Sequence, residues 1–339
     1  MQLVPAASES QNGGGDGGGG EYGGAGGDYG ALAVVEEELA ANGLGALAVE
    51  VSGELTIGAG SLLAYGNDEQ KSTFLPMLSE GRLMAFALTE VGVGVNAKKV
   101  QAYVELDETG ECYRLHATGP RAKMYITNAV YGDLTIVAAR TDLENKYGIT
   151  MFLIPAGTEG FSVANKLDKH GWRCSDTAEL VLDDVWVSDE QVLGTVHRGF
   201  YETMKNFQNE RMVLVGMGVG AAQAAIDMTN AYTQERKAFG GHLFDLGAIR
   251  QRMAMNQAKV DAVRASMYHA AWMHDAGQDN VKAMSGAKAW GCEVVNQVMY
   301  DCVQFHGGMG YMRESAVERM YRDARILPIG GGATEVMLE

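Results

Sequence analysis

The spacing of apolar residues changes twice along this chain, and this change constrains the fold more than any single motif. Apolar residues recur at helical spacing over 31–44 and 59–78. Short β-prone runs then follow one another from 85 to 194. From 199 onward the helical spacing returns, in long Met- and Ala-rich segments. This order predicts helices, then strands, then a helical bundle.

The predicted fold class is therefore α+β and multi-domain. We expect a Gly-rich, mobile segment at 1–28, a partial N-terminal helical domain at 29–83, a central antiparallel β-barrel or sandwich at 84–194, and a C-terminal four-helix bundle at 195–339. The expected strands are 86–89, 102–106, 113–117, 134–139, 149–154 and 178–187, with a hairpin turn at 107–110. Asp68 is expected to cap a helix that starts at Glu69.

Charge and composition exclude several classes of function. The net charge of −16 disfavours nucleic acid as a partner, because phosphate binding requires a basic face. No apolar run reaches the roughly 18 residues of a membrane span, and no basic segment leads into an apolar N-terminal core. We therefore expect a cytoplasmic bacterial protein, or a mitochondrial-matrix protein if the source is eukaryotic. The four cysteines lie far apart, which predicts free thiols without a disulfide or metal site.

Motifs along most of the chain resemble the acyl-CoA dehydrogenase family. In the last third they read ERKAFG at 235–240, QFHGGMGY at 304–311, RDAR at 322–325 and IGGGATEV at 329–336. Earlier segments similar to the family read YGNDEQK at 65–71, ALTEVGVGVN at 87–96 and KMYITN at 123–128. The resemblance runs from Gly20 onward and implies FAD-dependent dehydrogenation of an acyl-CoA thioester to trans-2-enoyl-CoA.

The resemblance also implies which residues hold FAD. Tyr125 would pack against one face of the flavin and Thr127 would hydrogen-bond near its hydride-accepting nitrogen, whereas alone they would be read as a core aromatic and a surface Thr. Arg236 would bind the diphosphate of the FAD that a neighbouring subunit holds. Alone it would be read as a solvated charge late in a helix. The full expected set is Phe86, Leu88, Thr89, Gly94, Val95, Tyr125, Ile126, Thr127, Arg236, Phe239, Gln304, Gly307, Gly308, Thr334 and Glu335. His306 is expected to pack near the cofactor without acid–base work.

The catalytic base is expected at Glu210. Many family members carry the base in a Tyr-Glu-Gly-Thr segment, but Gly331 occupies that position here and supplies no carboxylate. A second branch, including the isovaleryl and long-chain types, carries the base in a segment like ERLVL, which NERMVL at 209–214 resembles. The alternative for Glu210 is a carboxylate that interacts with the helix dipole. Arg211 is expected to order the pocket, and the Gly331 N–H to donate to the thioester oxygen.

The expected substrate-binding residues are Val95, Gln208, Asn209, Arg211 and Gly332. The expected partners are the acyl-CoA substrate, an electron-transfer flavoprotein as electron acceptor, and further copies of the chain in a dimer or tetramer that shares the FAD site. Departures from the family pattern at Val91, Val95 and Asn96, and the positions of both chain ends, indicate a truncated member. The alternatives are an acyl-CoA oxidase or flavin monooxygenase of the same fold, or a non-catalytic remnant.

Overall fold

The computed structural model describes residues 21–24, 26–107 and 112–339. Most of the predicted mobile segment and residues 108–110 of the predicted hairpin turn lie outside them. The chain forms two compact units. The sheet unit comprises the described residues before Asp28 together with Glu50–Lys169 and Ser175–Phe207, and the helical unit comprises Asp28–Val49, His170–Cys174 and Gln208–Glu339. Both units are discontinuous in sequence, whereas the predicted domains are contiguous.

The order of elements confirms the predicted succession of helices, strands and helices. Within the described residues the helices are α1 (Tyr29–Ala41), α2 (Gly45–Ser52), α3 (Ala59–Tyr65), α4 (Asp68–Ser79), α5 (Gly199–Glu235), α6 (Gly247–Asp275), α7 (Val281–His306), α8 (Ala316–Ala324) and α9 (Thr334–Met337). The strands are β1 (Met84–Ala87), β2 (Tyr103–Leu106), β3 (Cys112–Ala117), β4 (Lys123–Thr127), β5 (Leu134–Arg140), β6 (Ile149–Pro155), β7 (Phe161–Lys166), β8 (Thr177–Ser188), β9 (Val192–Leu193), β10 (Lys237–Ala238) and β11 (Gly241–His242).

The main sheet is mixed, not wholly antiparallel as predicted. Its order is β4-β8-β3-β2-β5-β6-β9, with β1 beside β5 and β7 beside β8. The strands β1 and β2 both pair in parallel with β5. The sequences of β5 and β6 are almost continuously apolar, and both strands are buried along nearly their whole length. A strand buried on both faces needs no alternation of polar and apolar residues, so these two strands form the centre of the core.

Helix α4 is capped by Asn67, so the predicted cap at Asp68 is wrong by one residue. The Asn67 side chain accepts a hydrogen bond from the Gln70 N–H at 2.8 Å, and the Gln70 side chain accepts one from the Asn67 N–H at 3.1 Å. This reciprocal pair is a capping box. Asp68 is instead the first helical residue, where its negative charge interacts favourably with the helix dipole.

The long helices of the helical unit each bury one stripe of small and apolar side chains. On α6 the buried positions recur every three or four residues, from Ile249 through Met253 and Val260 to Met267. Helix α7 buries a similar stripe from Met284 to Cys302. Such spacing places one face of each helix in the core and leaves the other face polar.

Helix α1 contacts α5 with almost no space between their backbones. A Cβ at Gly220 would overlap the carbonyl oxygen of Glu37, and one at Gly216 would lie 3.3 Å from the carbonyl oxygen of Ala33. The two glycines are four residues apart and therefore lie on one face of α5. The side chain of the same Glu37 accepts hydrogen bonds from two residues of α6, Arg264 Nε at 2.7 Å and the Tyr268 hydroxyl at 2.9 Å. Small residues and these polar contacts together hold α1 in the helical unit.

Glu36 on α1 is fully buried, with 0% of its surface exposed. A Cβ at Gly216 would lie 3.3 Å from the Glu36 Cβ and 3.5 Å from Met267 Sδ, so the surroundings are apolar and close-packed. Neither carboxyl oxygen has a hydrogen-bond partner among the described residues. Burial raises the pKa of Glu36 well above its usual value. The carboxyl therefore favours the neutral, protonated form.

Two helical segments, Gly45–Tyr65 and Gly199–Glu235, are long and apolar enough to cross a membrane. We did not expect any such segment from the sequence. The second one is helix α5, and 78% of its most apolar window is buried inside the protein. Core helices of globular domains pass the same test of length and composition, so α5 is read as the buried centre of the helical unit.

Candidate active site

Glu210 lies on α5 among charged and polar neighbours that would not usually occupy a helix core. Its side chain is partly buried. Burial raises the pKa of Glu210 to about 7, while the positive charges of Arg211 and Lys288 act in the opposite direction. A carboxyl with a pKa near 7 is divided about equally between its acid and base forms at neutral pH, which is the state that suits a general base.

A turn of two glycines faces Glu210. Gly331 and Gly332 have φ values of +63° and +108°, a region that favours glycine. A Cβ at Gly331 would lie 3.7 Å from the Glu210 Cδ and 2.5 Å from the Leu214 Cδ1. A side chain at Gly331 would overlap Leu214, so only glycine lets this turn lie so close to the carboxyl of Glu210.

Two cationic side chains donate hydrogen bonds to the backbone of this turn. Arg211 Nε donates to the Gly331 carbonyl oxygen at 3.2 Å, and Lys288 Nζ donates to the Gly332 carbonyl oxygen. Both carbonyl groups are thus directed at the cations. Glu210, Arg211 and Gly331, which we predicted together from sequence, are in fact neighbours in the helical unit.

Of the predicted substrate-binding residues, Gln208 and Asn209 precede Glu210 on α5 and are partly buried. The Gln208 Oε1 atom is buried and has no hydrogen-bond partner among the described residues. An unpaired buried carbonyl oxygen is costly, so it is a candidate to accept a hydrogen bond from a ligand. Val95 is exposed and belongs to the sheet unit.

The sheet unit carries the first group of predicted cofactor residues. Tyr125 has a φ of +60° and lies at a bulge where the pairing of β4 with β8 shifts register. Its side chain is 69% exposed. A left-handed φ at a bulky residue costs of order 1–3 kcal/mol and is most often found at functional sites. The bulge directs an aromatic ring away from the core, and this arrangement suits a flat aromatic ligand.

The other predicted residues of this group differ in exposure. Leu88 and Ile126 are buried in the core, so only their backbone groups could contact a ligand. Phe86, Thr89 and Thr127 are partly buried, while Gly94 and Val95 are exposed. No atom lies within 4 Å of a Cβ placed at Gly94, so its backbone is open to close approach.

The helical unit carries the second group. Phe239 and Gly240 form the two-residue turn between β10 and β11, and both have positive φ, as a type I′ turn requires. Phe is an unusual residue for this turn, and its side chain is 94% exposed. Arg236, just before β10, is exposed too. A strained, solvent-exposed aromatic three residues after an exposed Arg suits contact with a partner molecule or ligand.

At the end of α7, Gln304 and the glycines 307 and 308 are exposed, and Gly307 has a φ of +60°. No atom lies within 4 Å of a Cβ placed at Gly307 or Gly308, so their backbone groups are accessible to a ligand. His306 packs against the Tyr232 ring at 4.4 Å and lies 3.2 Å from Thr229 Oγ1. Burial lowers the pKa of His306, which fits packing of a neutral ring.

Thr334 and Glu335 line an open cleft of about 460 Å³ together with Tyr300, Tyr321 and Arg325. The Thr334 hydroxyl also donates to Glu293 Oε1 at 3.0 Å. The lining is largely polar and charged, and such a cleft suits a polar part of a ligand better than an acyl chain.

Lys288 is the residue of this site that we did not predict from the sequence. It occupies the buried stripe of α7, four residues after Met284 and four before Cys292. That position was the available signal, because a Lys on an apolar helix face is rarely buried without a partner. Cys292 is a buried thiol with its pKa raised to about 12 by burial, so it is neutral. Among the described residues there is no group of His, Cys, Asp and Glu that could hold a metal ion.

Three domain families match successive parts of the chain. They are the N-terminal domain of acyl-CoA dehydrogenase at residues 19–82, the middle domain at 85–185 and the C-terminal domain at 197–339. The long-chain specific acyl-CoA dehydrogenase of mitochondria from Sus scrofa is 34% identical over 322 residues, which are 94% of this chain and 73% of that protein.

Two further relatives are bacterial. A subunit of the caffeyl-CoA reductase–Etf complex of Acetobacterium woodii is 34% identical over 93% of this chain and 82% of its own length. The structure of butyryl-CoA dehydrogenase from Megasphaera elsdenii matches with a TM-score of 0.89 and 34% identity, over 94% of this chain and 82% of that chain.

Proposed function

Because this chain belongs to the acyl-CoA dehydrogenase family, we propose that it converts an acyl-CoA thioester to the trans-2-enoyl-CoA, with Glu210 as the base. The chain is an enzyme of that family, and its cofactor is FAD. The observation that carries the base assignment is a carboxyl of pKa about 7 at Glu210 beside a turn in which Gly331 carries no side chain.

The residues present fit FAD. Tyr125 offers an exposed ring on a strained bulge, while Arg236, Phe239 and Gly307 offer a cation, an exposed ring and an open backbone for a flat, phosphate-bearing ligand. When bound, FAD supplies the acceptor for the hydride that leaves the substrate's β-carbon. We propose that these residues, with the other predicted cofactor-binding residues, hold it.

Glu210 would remove the proton from the substrate's α-carbon, using its carboxylate form. The proton moves to a carboxyl oxygen as the C–H electron pair becomes the new double bond. Because proton removal places negative charge on the thioester oxygen, a nearby donor is needed. The backbone N–H of Gly331, in the turn held by Arg211 and Lys288, is the proposed donor. Gln208 and Asn209 would orient the substrate beside Glu210.

The variant Glu210→Gln tests this assignment. It should bind FAD as the original protein does, yet reduce it with acyl-CoA at least about 10³-fold more slowly, because an amide accepts no proton. The measurement is anaerobic bleaching of the FAD absorbance by a panel of short, long and branched acyl-CoA thioesters. Glu235→Gln, at the exposed end of α5, is the matched control and should bleach normally. A near-normal rate in Glu210→Gln would show that the base lies elsewhere.

The pH dependence gives a second readout of the same assignment. Only the ionised base can accept the proton, so kcat/KM should rise with pH, pass its midpoint near the Glu210 pKa of about 7 and then level off. A profile that falls through pH 7, or that is flat from pH 5 to 9, would contradict it.

We also propose an electron-transfer flavoprotein as the electron acceptor and a branched or longer acyl chain as the substrate. The first is supported by the relative that is a subunit of an Etf complex, and the second by the relative that is specific for long chains. Slow reoxidation of the bleached enzyme in air, with fast reoxidation by the flavoprotein, is expected. Rapid release of peroxide would favour an oxidase, and a protein that takes up no FAD would favour a non-catalytic remnant.

A further inference from the structure

Lys288 is a buried cation in a mostly apolar stripe of α7. None of its surface is exposed, and its Nζ atom donates to the Gly332 carbonyl oxygen. A buried ammonium group is costly unless charges and hydrogen bonds compensate for lost water. The groups that compensate it should therefore reveal what Lys288 does.

The charged and titratable groups that act on Lys288 come from two helices. Cys292 and Glu293 lie on α7, and Glu210 and Arg211 lie on α5. Cys292 is a neutral thiol because burial raises its pKa to about 12. Glu293 is exposed and already accepts a hydrogen bond from Thr334. Glu210 is therefore the less solvated of the two carboxyls that can balance the charge of Lys288.

Both carbonyl groups of the Gly331–Gly332 turn accept hydrogen bonds from cationic side chains. Lys288 donates to the carbonyl oxygen of Gly332, and Arg211 donates to that of Gly331. A Cβ placed at Gly331 would lie 3.7 Å from the Glu210 Cδ, so the turn lies close to the carboxyl. Without the Lys288 ammonium group, the partly buried Gly332 carbonyl would lose this hydrogen bond. The turn and the carboxyl thus depend on the same lysine.

We propose that Lys288 is a positioning residue, which fixes the Gly331–Gly332 turn beside Glu210 and supplies the buried positive charge that favours the carboxylate form of Glu210. This inference rests on the proposed function only in calling Glu210 the base. The effect of the charge on Glu210 can be measured without any catalysis. In a site with little water, a nearby positive charge acts more strongly on a carboxyl than it would at the surface.

Three variants separate charge from hydrogen bonding. Lys288→Gln keeps a donor that can reach toward Gly332 but removes the charge, Lys288→Met removes both, and Lys288→Arg keeps both. The exposed Lys282 on the same helix provides the control Lys282→Gln. Glu210 is titrated by NMR in protein labelled with ¹³C at the Glu carboxyls, and its signal is assigned by its loss in Glu210→Gln.

We expect the titration midpoint of Glu210 to rise by about one pH unit in Lys288→Gln and Lys288→Met, and to stay unchanged in Lys282→Gln. Lys288→Arg should keep it close to its original value. If Glu210 is the base, kcat/KM at pH 7 falls roughly fivefold in Lys288→Gln, because a midpoint that moves from about 7 to about 8 lowers the ionised fraction. The loss should vanish at pH 9, whereas a purely structural defect would persist at every pH.

An unchanged Glu210 midpoint in Lys288→Gln would overturn the inference. If Lys288→Met does not fold, Lys288→Gln still tests whether the charge of Lys288 sets the Glu210 midpoint, because Gln keeps a donor for Gly332. A shifted midpoint in a protein whose activity is insensitive to Glu210→Gln would leave the inference standing and would show that the base assignment is wrong. The NMR titration therefore tests the role of Lys288, and the activity of Glu210→Gln tests the base assignment.

Discussion

Two carboxyls of the helical unit, Glu210 and Glu36, have pKa values raised by burial but differ in their surroundings. Glu210 has Arg211 and Lys288 beside it and a partly open turn in front. Glu36 has no charged neighbour that offsets burial, and its oxygens have no partner among the described residues. The first arrangement keeps a carboxyl ready to exchange a proton, while the second keeps it protonated and costs stability.

Stability should depend on pH through Glu36. An acid whose native pKa is raised keeps its proton while the unfolded chain releases it, so the free energy of unfolding falls as pH rises above the unfolded value of about 4.3. Glu36→Gln cannot ionise and should be more stable than the original protein at pH 7, by roughly 1–3 kcal/mol, with the difference vanishing near pH 4. Thermal unfolding from pH 4 to pH 8 measures this.

The neighbouring Glu38→Gln serves as the control, because Glu38 is exposed on the same helix. It should follow the original protein at every pH. A gain for Glu36→Gln that is the same at pH 4 and pH 7 would mean that packing, and not ionisation, sets the cost of Glu36.

Single residues also mark what the sequence could and could not reveal. The proposal of Glu210 as the base came from the sequence, because the segment around it resembles a family segment and Gly331 cannot supply the alternative base. Lys288 was overlooked although it shares an apolar helix face with Met284 and Cys292, and the burial of Glu36 could not be predicted because the sequence of α1 does not say which face meets another helix. Burial of a charge depends on contacts between residues far apart in the chain, and one sequence does not contain them.

At the level of elements, Lys123 joins three parts of the sheet unit. Its Nζ atom donates to Glu90 Oε1 at 2.9 Å, to the Leu88 carbonyl at 3.2 Å and to the Ala138 carbonyl at 2.7 Å. Glu90 in turn accepts from the N–H groups of Gln101 and Ala102. The lysine therefore ties the loop after β1, which carries predicted cofactor residues, to β4 and β5.

Lys123→Met should destabilise the sheet unit by about 3–5 kcal/mol, because it leaves the Glu90 carboxylate buried without its cation. The double variant that adds Glu90→Gln should recover part of the loss. Urea unfolding measures both. Arg82→Met is the control, since it breaks the exposed ion pair with Asp133 and should cost no more than about 1 kcal/mol. Equal losses for Lys123 and Arg82 would refute the role given to Lys123.

Elements with strong apolar patterns could be predicted, and exposed ones could not. The six expected strands all have counterparts, and most of them carry buried apolar side chains, although β2 is half exposed. Strand β7 was missed because all but its first residue is exposed, so its sequence shows no alternation. Helix α5 starts at Gly199, where the helical spacing returns in the sequence.

On the scale of the whole molecule, we expect a site shared between copies of the chain. Phe239→Ala should lower the affinity for FAD and the fraction of dimer or tetramer, because the ring is 94% exposed and is proposed to contact both FAD and another copy of the chain. Stability of the FAD-free protein should not change. Flavin fluorescence and sedimentation measure the two effects. Leu143→Ala, at another exposed apolar side chain, is the control; if both variants retain FAD and assemble alike, the shared site is wrong.

The overall order of domains follows from the sequence, but the composition of the two units does not. Helix α1 belongs to the helical unit although strands and other helices separate it from α5 in the chain. The sequence of α1 is apolar on more than one side, and many helices could have covered it. The close approach at Gly216 and Gly220 selects α5, and it can be recognised only once the two helices are seen together.

This arrangement has a consequence for synthesis on the ribosome. Arg264 follows Glu37 by 227 positions, so α1 leaves the ribosome long before α6 exists to pair with it. At 5–20 residues per second the delay is about 10–45 s. Until α5 and α6 have been made, Leu32, Ala33 and Ala40 lack the helices that cover them, although most of the sheet unit has by then been made. The newborn chain therefore carries an uncovered apolar helix for most of its synthesis, and this helix is the segment for which molecular chaperones would compete.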